Sequence, residues 1–315
     1  MNDIVQEKPT QESDDQILKI LLAYDGSKHA QAAVELLMDL RLPPHTQVIA
    51  LAVMPPQHIT GHEILQAALN WTADQLQETG LEVTTELKAG TPAATINEMA
   101  ENFNIDLIVI GARGLRATLG ILLGGVAQQV VEYSSCPVLV VHAPYHSYRK
   151  VLVVTDGSTS SQAAVGYLCG QERQFHPGCF LLSKAEEVHL MHVLPPHIPP
   201  DLAWRAYAIG PEALYPAPTQ VIDTQAIEAE EEELGKNILQ QAAAALAEGR
   251  VVANTVLRRG DAATEIIEYS KQGNFDLIVS GSRGLSQVSG WLLGSVSRKL
   301  VHYAGCSVLL VKPIS

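Results

Sequence analysis

Short runs of valine, isoleucine and leucine alternate along the chain with longer stretches in which apolar residues recur three and four apart. LKILLAY (18–24), VIALAV (48–53), LIVIGA (107–112) and PVLVVHA (137–143) have the composition of strands buried on both faces. Between them, SKHAQAAVELLMDL (27–40), HEILQAALNWTADQLQETG (62–80) and PAATINEMAENFN (92–104) each carry one apolar stripe, the signature of an amphipathic helix. Strand and helix in regular alternation imply parallel strands joined by right-handed crossovers, hence a doubly wound α/β sheet with helices on both faces. Ligands of such sheets sit beyond the carboxyl ends of the strands, where the strand order reverses.

The pattern then begins again. ILKILLAYDGSKHAQAAVELL (17–37) returns as YRKVLVVTDGSTSSQAAVGYL (148–168), an offset of 131, and segment 103–141 returns as 274–311, an offset of 170. The same motifs in the same order make this one domain duplicated. The expected architecture is two tandem, parallel five-stranded, Rossmann-like sheets in domains 17–145 and 148–315, behind a polar tail of residues 1–16. Aligning VIALAVMPP (48–56) with VHLMHVLPP (188–196) places most of the second copy's extra length at about 197–226, with Trp204, Tyr207 and Tyr215 among prolines. That insert reads as a lid, as a surface for dimerisation or a partner protein, or as an unstructured loop. EAEEEE (228–233) follows it with acids suited to the amino end of a helix.

The 315 residues carry 21 basic and 34 acidic side chains, a net charge of −13. Such a surface repels phosphate polymers and anionic lipid, which argues against a nucleic-acid or membrane binder. No apolar run approaches the roughly 18 residues that a membrane helix needs. The acidic first sixteen residues lack the basic start and apolar stretch of a signal peptide, so a cytoplasmic location is expected. Four cysteines, none in a CxxC pair, make no disulfide framework.

The strongest chemical signal lies in the second copy: Gly281 and Gly284, then nine residues, then Gly294 and Ser295. The first pair follows a strand, where glycines let the backbone turn sharply and present its N–H groups. The second pair stands where a helix begins, and the unsatisfied donors and partial positive charge of a helix start make phosphate a natural guest. The hydroxyls of Ser295 and Ser297 add donors, and Arg283 is a candidate phosphate contact. The other reading of these glycines is turn formation alone. No P-loop lysine follows them. Nothing along the chain reads as a nucleophile with a histidine base and an orienting acid, so no catalytic residue is assigned.

At these residues both copies resemble universal stress protein domains, α/β nucleotide-binding folds whose ATP-binding members carry G-x2-G-x9-G-(S/T). The second copy matches in full. The resemblance implies ATP with Mg²⁺ as the ligand, held by Gly281, Arg283, Gly284, Gly294, Ser295, Val296 and Ser297. It places Thr155 and Asp156 at the end of the first strand, near the nucleotide, and main-chain groups at His192 and Val193 on the adenine. It also implies that strands 138–141 and 308–311 pair edge to edge as an internal pseudo-dimer, with a homodimer as a further option. The implied function is a nucleotide-dependent regulatory or stress-survival factor with an unnamed protein partner. The alternatives are a nucleotide-free interaction scaffold and a slow ATPase or autophosphorylating protein.

The first copy keeps the spacing as Gly111, Gly114 and Gly124, with Asp25 and Val53 at the equivalent strand ends, but Gly125 and Ala127 replace the two serines. At about 1.5–3 kcal/mol per lost hydroxyl–phosphate bond, affinity should fall by two or more orders of magnitude. Tyr24, where the second copy has Thr155, adds a bulky ring near the expected pocket. This copy is therefore expected to be weak, empty or suited to a smaller nucleotide. Asp25 and Asp156 each precede Gly-Ser and a helix, which is also turn and capping chemistry. His58 and His62 have metal-like spacing, but Gly61 and the prolines before it argue against a helix that would align them. His189 and His192, three apart on a strand, point to opposite faces and cannot share a metal. Cys136 and Cys306 read as small buried residues at equivalent positions, and nothing lowers the pKa of Cys169 or Cys179.

Overall fold

The computed structural model describes residues 17–43, 45–55, 61–115, 123–169, 180–197, 224–284 and 293–313. The 1–16 tail, His58, Cys179 and the insert aromatics Trp204, Tyr207 and Tyr215 lie outside the described residues. The first copy runs β1 (Lys19–Ala23), α1 (Lys28–Asp39), β2 (Gln47–Met54), α2 (His62–Gln77), β3 (Glu82–Ala89), α3 (Pro92–Asn102), β4 (Leu107–Gly111), α4 (Gly125–Tyr133) and β5 (Val138–Val141). The second runs β6 (Lys150–Val154), α5 (Thr159–Cys169), β7 (Glu187–Leu194), α6 (Thr224–Glu248), β8 (Asn254–Arg259), α7 (Ala262–Gln272), β9 (Leu277–Gly281), α8 (Ser295–Tyr303) and β10 (Ser307–Val311).

Local chemistry sets the ends of these elements. Ser27 caps α1 by accepting the Ala30 N–H at 3.1 Å, and Asp261 caps α7 by accepting that of Thr264 at 3.1 Å. Asn104 and Asn274 follow α3 and α7 at equivalent positions with φ of 50° and 51°, a region asparagine tolerates better than most residues. The acids 228–233 fall inside α6, whose 25 residues outrun the 16 of α2.

The strands form one ten-stranded sheet in the order β3-β2-β1-β4-β5-β10-β9-β6-β7-β8. The two five-stranded sheets expected from the sequence are halves of this sheet. Each half is parallel and reverses its strand order beside its first strand, between β1 and β4 and between β6 and β9. The halves meet antiparallel at β5 and β10, with Val140 opposite Val308, Leu139 opposite Leu309 and Val138 opposite Leu310. That pairing leaves no open edge at the middle of the molecule. Side chains add to the seam. Arg298 meets Glu132 at 3.2 Å, and Lys312 donates to the carbonyls of Glu132 and Ser134 at the carboxyl end of α4, where a cation is favoured. Asp39 of the first copy accepts from Tyr145 (2.9 Å) and Ser147 (2.8 Å) and pairs with Lys184 of the second.

Alternation along the strands divides the core. Ile20 and Leu22 of β1 join one buried cluster with α1, α2, α5 and α6, while Leu21 and Ala23 join another with α3, α4, α7 and α8. Each cluster runs through both copies. The cysteines follow the packing: burial pushes the Cys306 thiol up to about 12 and also raises that of Cys136.

Candidate functional site

At the carboxyl ends of β6, β7 and β9 the second copy holds a cavity of about 200 Å³, at the point where the strand order reverses. One wall comes from the loop leaving β6. Gly157 takes φ +77°, which suits glycine, and the turn is closed by the Ser158 N–H donating to Asp156 Oδ1 at 3.0 Å. Thr155 and Asp156 from this loop line the cavity, with Ser161 from the first turn of α5. The apolar side is Val154, Met191 and Ile266, and Val193 ends the β7 wall.

The glycines of the motif have separate duties. A Cβ on Gly281 would lie 2.6 Å from the backbone carbon and oxygen of Ser160, so this glycine lets the end of β9 press against α5. A Cβ on Gly284 would lie 2.7 Å from Asp156 Oδ2, so the carboxylate reaches over this position from the opposite wall. Gly294 crosses close beneath the same turn: its N–H donates to Ser282 O at 2.9 Å, and its Cβ would meet Arg283 Cα at 3.2 Å. It is also the N-cap of α8, where no side chain caps the helix. The first N–H groups of α8, at Ser295, Val296 and Ser297, therefore open toward the cavity with the positive end of the helix dipole.

Thr155, Asp156, Val193, Gly281, Arg283, Gly284, Gly294, Ser295, Val296 and Ser297, far apart in the sequence, all line this one cavity. One expected role is corrected. Ser297 is buried and its hydroxyl donates to the Gly281 carbonyl at 2.8 Å, so it braces the strand end against α8 and has no proton left for a ligand. The sequence placed His192 beside Val193 at the strand end but gave its side chain no role there; its Nδ1 lies 2.8 Å from the Thr155 carbonyl. A carbonyl only accepts, so Nδ1 carries the proton, and the ring joins the ends of β6 and β7 on the cavity wall. The signal was present as Ala52, the residue at the equivalent place in the first copy.

In the first copy the same framework appears with different contacts. Asp25 has both oxygens engaged, Oδ1 by the Ser27 N–H and Oδ2 by the Leu115 N–H, each at 3.0 Å. Gly111 packs against α1 as Gly281 does against α5, since its Cβ would lie 2.7 Å from Ala30 N. Gly114 and Gly124 keep the positions of Gly284 and Gly294, with Gly114 facing Asp25 Oδ2. Among the described residues nothing lies within 4 Å of a Cβ on Gly125. Val53 packs against the α3/α4 core, and Tyr24 is buried in the α1/α2 core, so its ring fills the interior and is not an extra wall at the strand ends.

Fold and site thus define a duplicated, doubly wound α/β protein with a glycine-walled cleft at one switch point. The universal stress protein family model matches residues 17–142 and again 147–312, and the chain belongs to that family. A universal stress protein of Mycolicibacterium smegmatis is 28% identical over 270 residues, covering 83% of this chain and 80% of its own. One from Mycobacterium tuberculosis is 25% identical over 321 residues, covering 94% and 96%. The crystal structure of a universal stress protein from Archaeoglobus fulgidus shares the fold with a TM-score of 0.60 at 21% identity, covering 95% of this chain and 99% of its own. Among the described residues no helix is long and apolar enough to cross a membrane.

Proposed function

We propose that this universal stress protein binds ATP in its second copy and acts as a nucleotide-dependent regulatory or stress-survival factor. The observation that carries the reading is the uncapped start of α8 facing the Gly281–Gly284 turn and Arg283 across a cavity whose far side is apolar. Phosphates suit the first end, and a purine suits Val154, Met191 and Ile266. Backbone N–H groups at Ser295 and Val296 and the Ser295 hydroxyl would hold the phosphates, and main chain at Val193 would face the base. Among the described residues Asp156 is the one carboxylate lining the cavity, so Mg²⁺ would be held chiefly by the phosphates, as that ion commonly is. The antiparallel β5–β10 junction supports treating the two copies as an internal pseudo-dimer, with boundaries near 17–145 and 148–315 and a regulatory surface on its outer faces.

The direct test is to purify the protein without added nucleotide, denature it, and identify and count what is released by mass spectrometry. About one ATP per chain is expected. Ser295→Ala should lower affinity by about tenfold to a hundredfold through loss of one charge-assisted hydrogen bond. No nucleotide, followed by no binding in a titration with ATP and Mg²⁺, would replace this reading with that of an interaction scaffold.

The first copy supplies the converse experiment. Gly125 is the first residue of α4 and a Cβ there meets none of the described residues, so Gly125→Ser supplies the hydroxyl without a clash among them. The variant should raise first-copy affinity by about tenfold or more and move the count toward two nucleotides per chain. An unchanged count at saturating ATP would show that the hydroxyl is not what disables this copy.

A further inference from the structure

On the same side of the sheet as the cavity, but nearer the amino end of β7, three side chains far apart in sequence form a hydrogen-bonded chain. Glu187 Oε1 lies 2.7 Å from His189 Nε2, and His189 Nδ1 lies 2.7 Å from the Tyr269 hydroxyl. A carboxylate only accepts, so Nε2 carries a proton; in the neutral ring Nδ1 is then bare and accepts from the phenol. Glu187 is held ionised by Lys150, 3.0 Å from its other oxygen, and then by His189, which together keep its carboxyl below the usual range. Phe275 stands edge-on to His189 at 5.1 Å between ring centres and fixes the ring against the sheet. Arg258 from β8 lies over the Tyr269 ring, its guanidinium carbon 5.0 Å from the centre, and meets Glu265 at 3.6 Å.

A nucleophile within hydrogen-bond reach of a base, with that base oriented by an acid, is the arrangement that covalent acyl-transfer catalysts use. The fold does not require it. At the equivalent places the first copy has Gln47, Ile49 and Met99, and there Ile49 and Met99 close the gap with apolar contact. The second copy exchanges that packing for polar groups that need one another, a local departure of the kind expected at functional sites.

We propose that Tyr269 is a nucleophile that takes an acyl group from a small anionic acyl donor, an acyl phosphate, with His189 as its base, Glu187 positioning the ring and Arg258 meeting the donor's charge. The phenol oxygen attacks the acyl carbon and its proton passes to His189 Nδ1. The bond from the acyl carbon to the phosphate oxygen breaks, inorganic phosphate leaves, and an aryl ester remains on Tyr269. Nothing is oxidised or reduced, and no nucleotide takes part, so the proposal stands apart from ATP binding.

The test is to treat the full-length protein with acetyl phosphate, quench in acid and map acetyl groups by mass spectrometry. Tyr133 and Tyr303 are internal controls, because they are 53% and 62% exposed while Tyr269 is half-buried. Exposure alone would label those two first. We expect Tyr269 to lead them by at least tenfold, and His189→Gln to lower its rate by about a hundredfold, the usual worth of a general base. Tyr269→Phe should abolish the signal in a protein that still unfolds in one cooperative transition. Glu187→Gln should lower the rate by about tenfold and Glu187→Asp should recover part of it, since a neutral amide no longer fixes the proton on His189 Nε2 as a carboxylate does. Should His189→Gln fail to fold, the loss in Glu187→Gln and its recovery in Glu187→Asp decide the matter. Labelling of Tyr269 no faster than that of Tyr133 and Tyr303, phosphorylation in place of acetylation, or no labelling would each overturn the proposal.

Discussion

Gly284→Val should leave the protein folded and empty of nucleotide in its second copy, with affinity reduced by about a hundredfold or more. The new Cβ would stand 2.7 Å from Asp156 Oδ2, and that atom is the free end of a side chain, so it can swing aside. The two methyl groups then project into the cleft between the β6 loop and the start of α8, where a phosphate would otherwise approach the backbone. Gly281 is a poor place for this experiment, since its Cβ would strike the backbone of Ser160 and damage packing and binding together. Released nucleotide and a thermal melt should be recorded on the same sample. A Gly284→Val protein that still carries one ATP per chain would remove the glycine turn from the binding site.

Acid should weaken the seam through His142. This residue follows β5, is 9% exposed, and its Nε2 is buried with no hydrogen-bond partner among the described residues. Its backbone N–H donates to Ser307 Oγ at 3.1 Å across the junction, and its ring stands edge-on to His29 at 5.9 Å. Burial first, then His29 and Arg113, holds its pKa down to about 4 against an ordinary 6.5. A depressed pKa means the unfolded chain binds the proton first. The stability is therefore complete above about pH 6.5 and is lost as pH falls through 4, for a total of about 3 kcal/mol. His142→Leu removes this proton uptake and should flatten the pH dependence by that amount between pH 7 and 4. Urea midpoints at both pH values for the two proteins measure it, and parallel slopes in wild type and variant would refute the assignment.

The family, the duplication and the glycine motif were legible because each rests on local pattern. Buried parallel strands read as unbroken runs of Val, Ile and Leu, and the glycine spacing is fixed by one turn and one helix start. Contacts between distant segments were not legible. His192 binds a carbonyl 37 positions away, and Ser297 gives its proton to Gly281, which only the packing of α8 against β9 reveals. Tyr269 and His189 are 80 positions apart, on elements whose pairing depends on the register of β7 and the tilt of α7. Periodicity shows which face of a strand or helix is buried, and by itself the sequence determined the elements, their order and the places where a ligand could approach. Which polar groups meet was decided only by tertiary structure, because a hydrogen bond is set by positions to within a fraction of an ångström and those arise from the whole core closing at once.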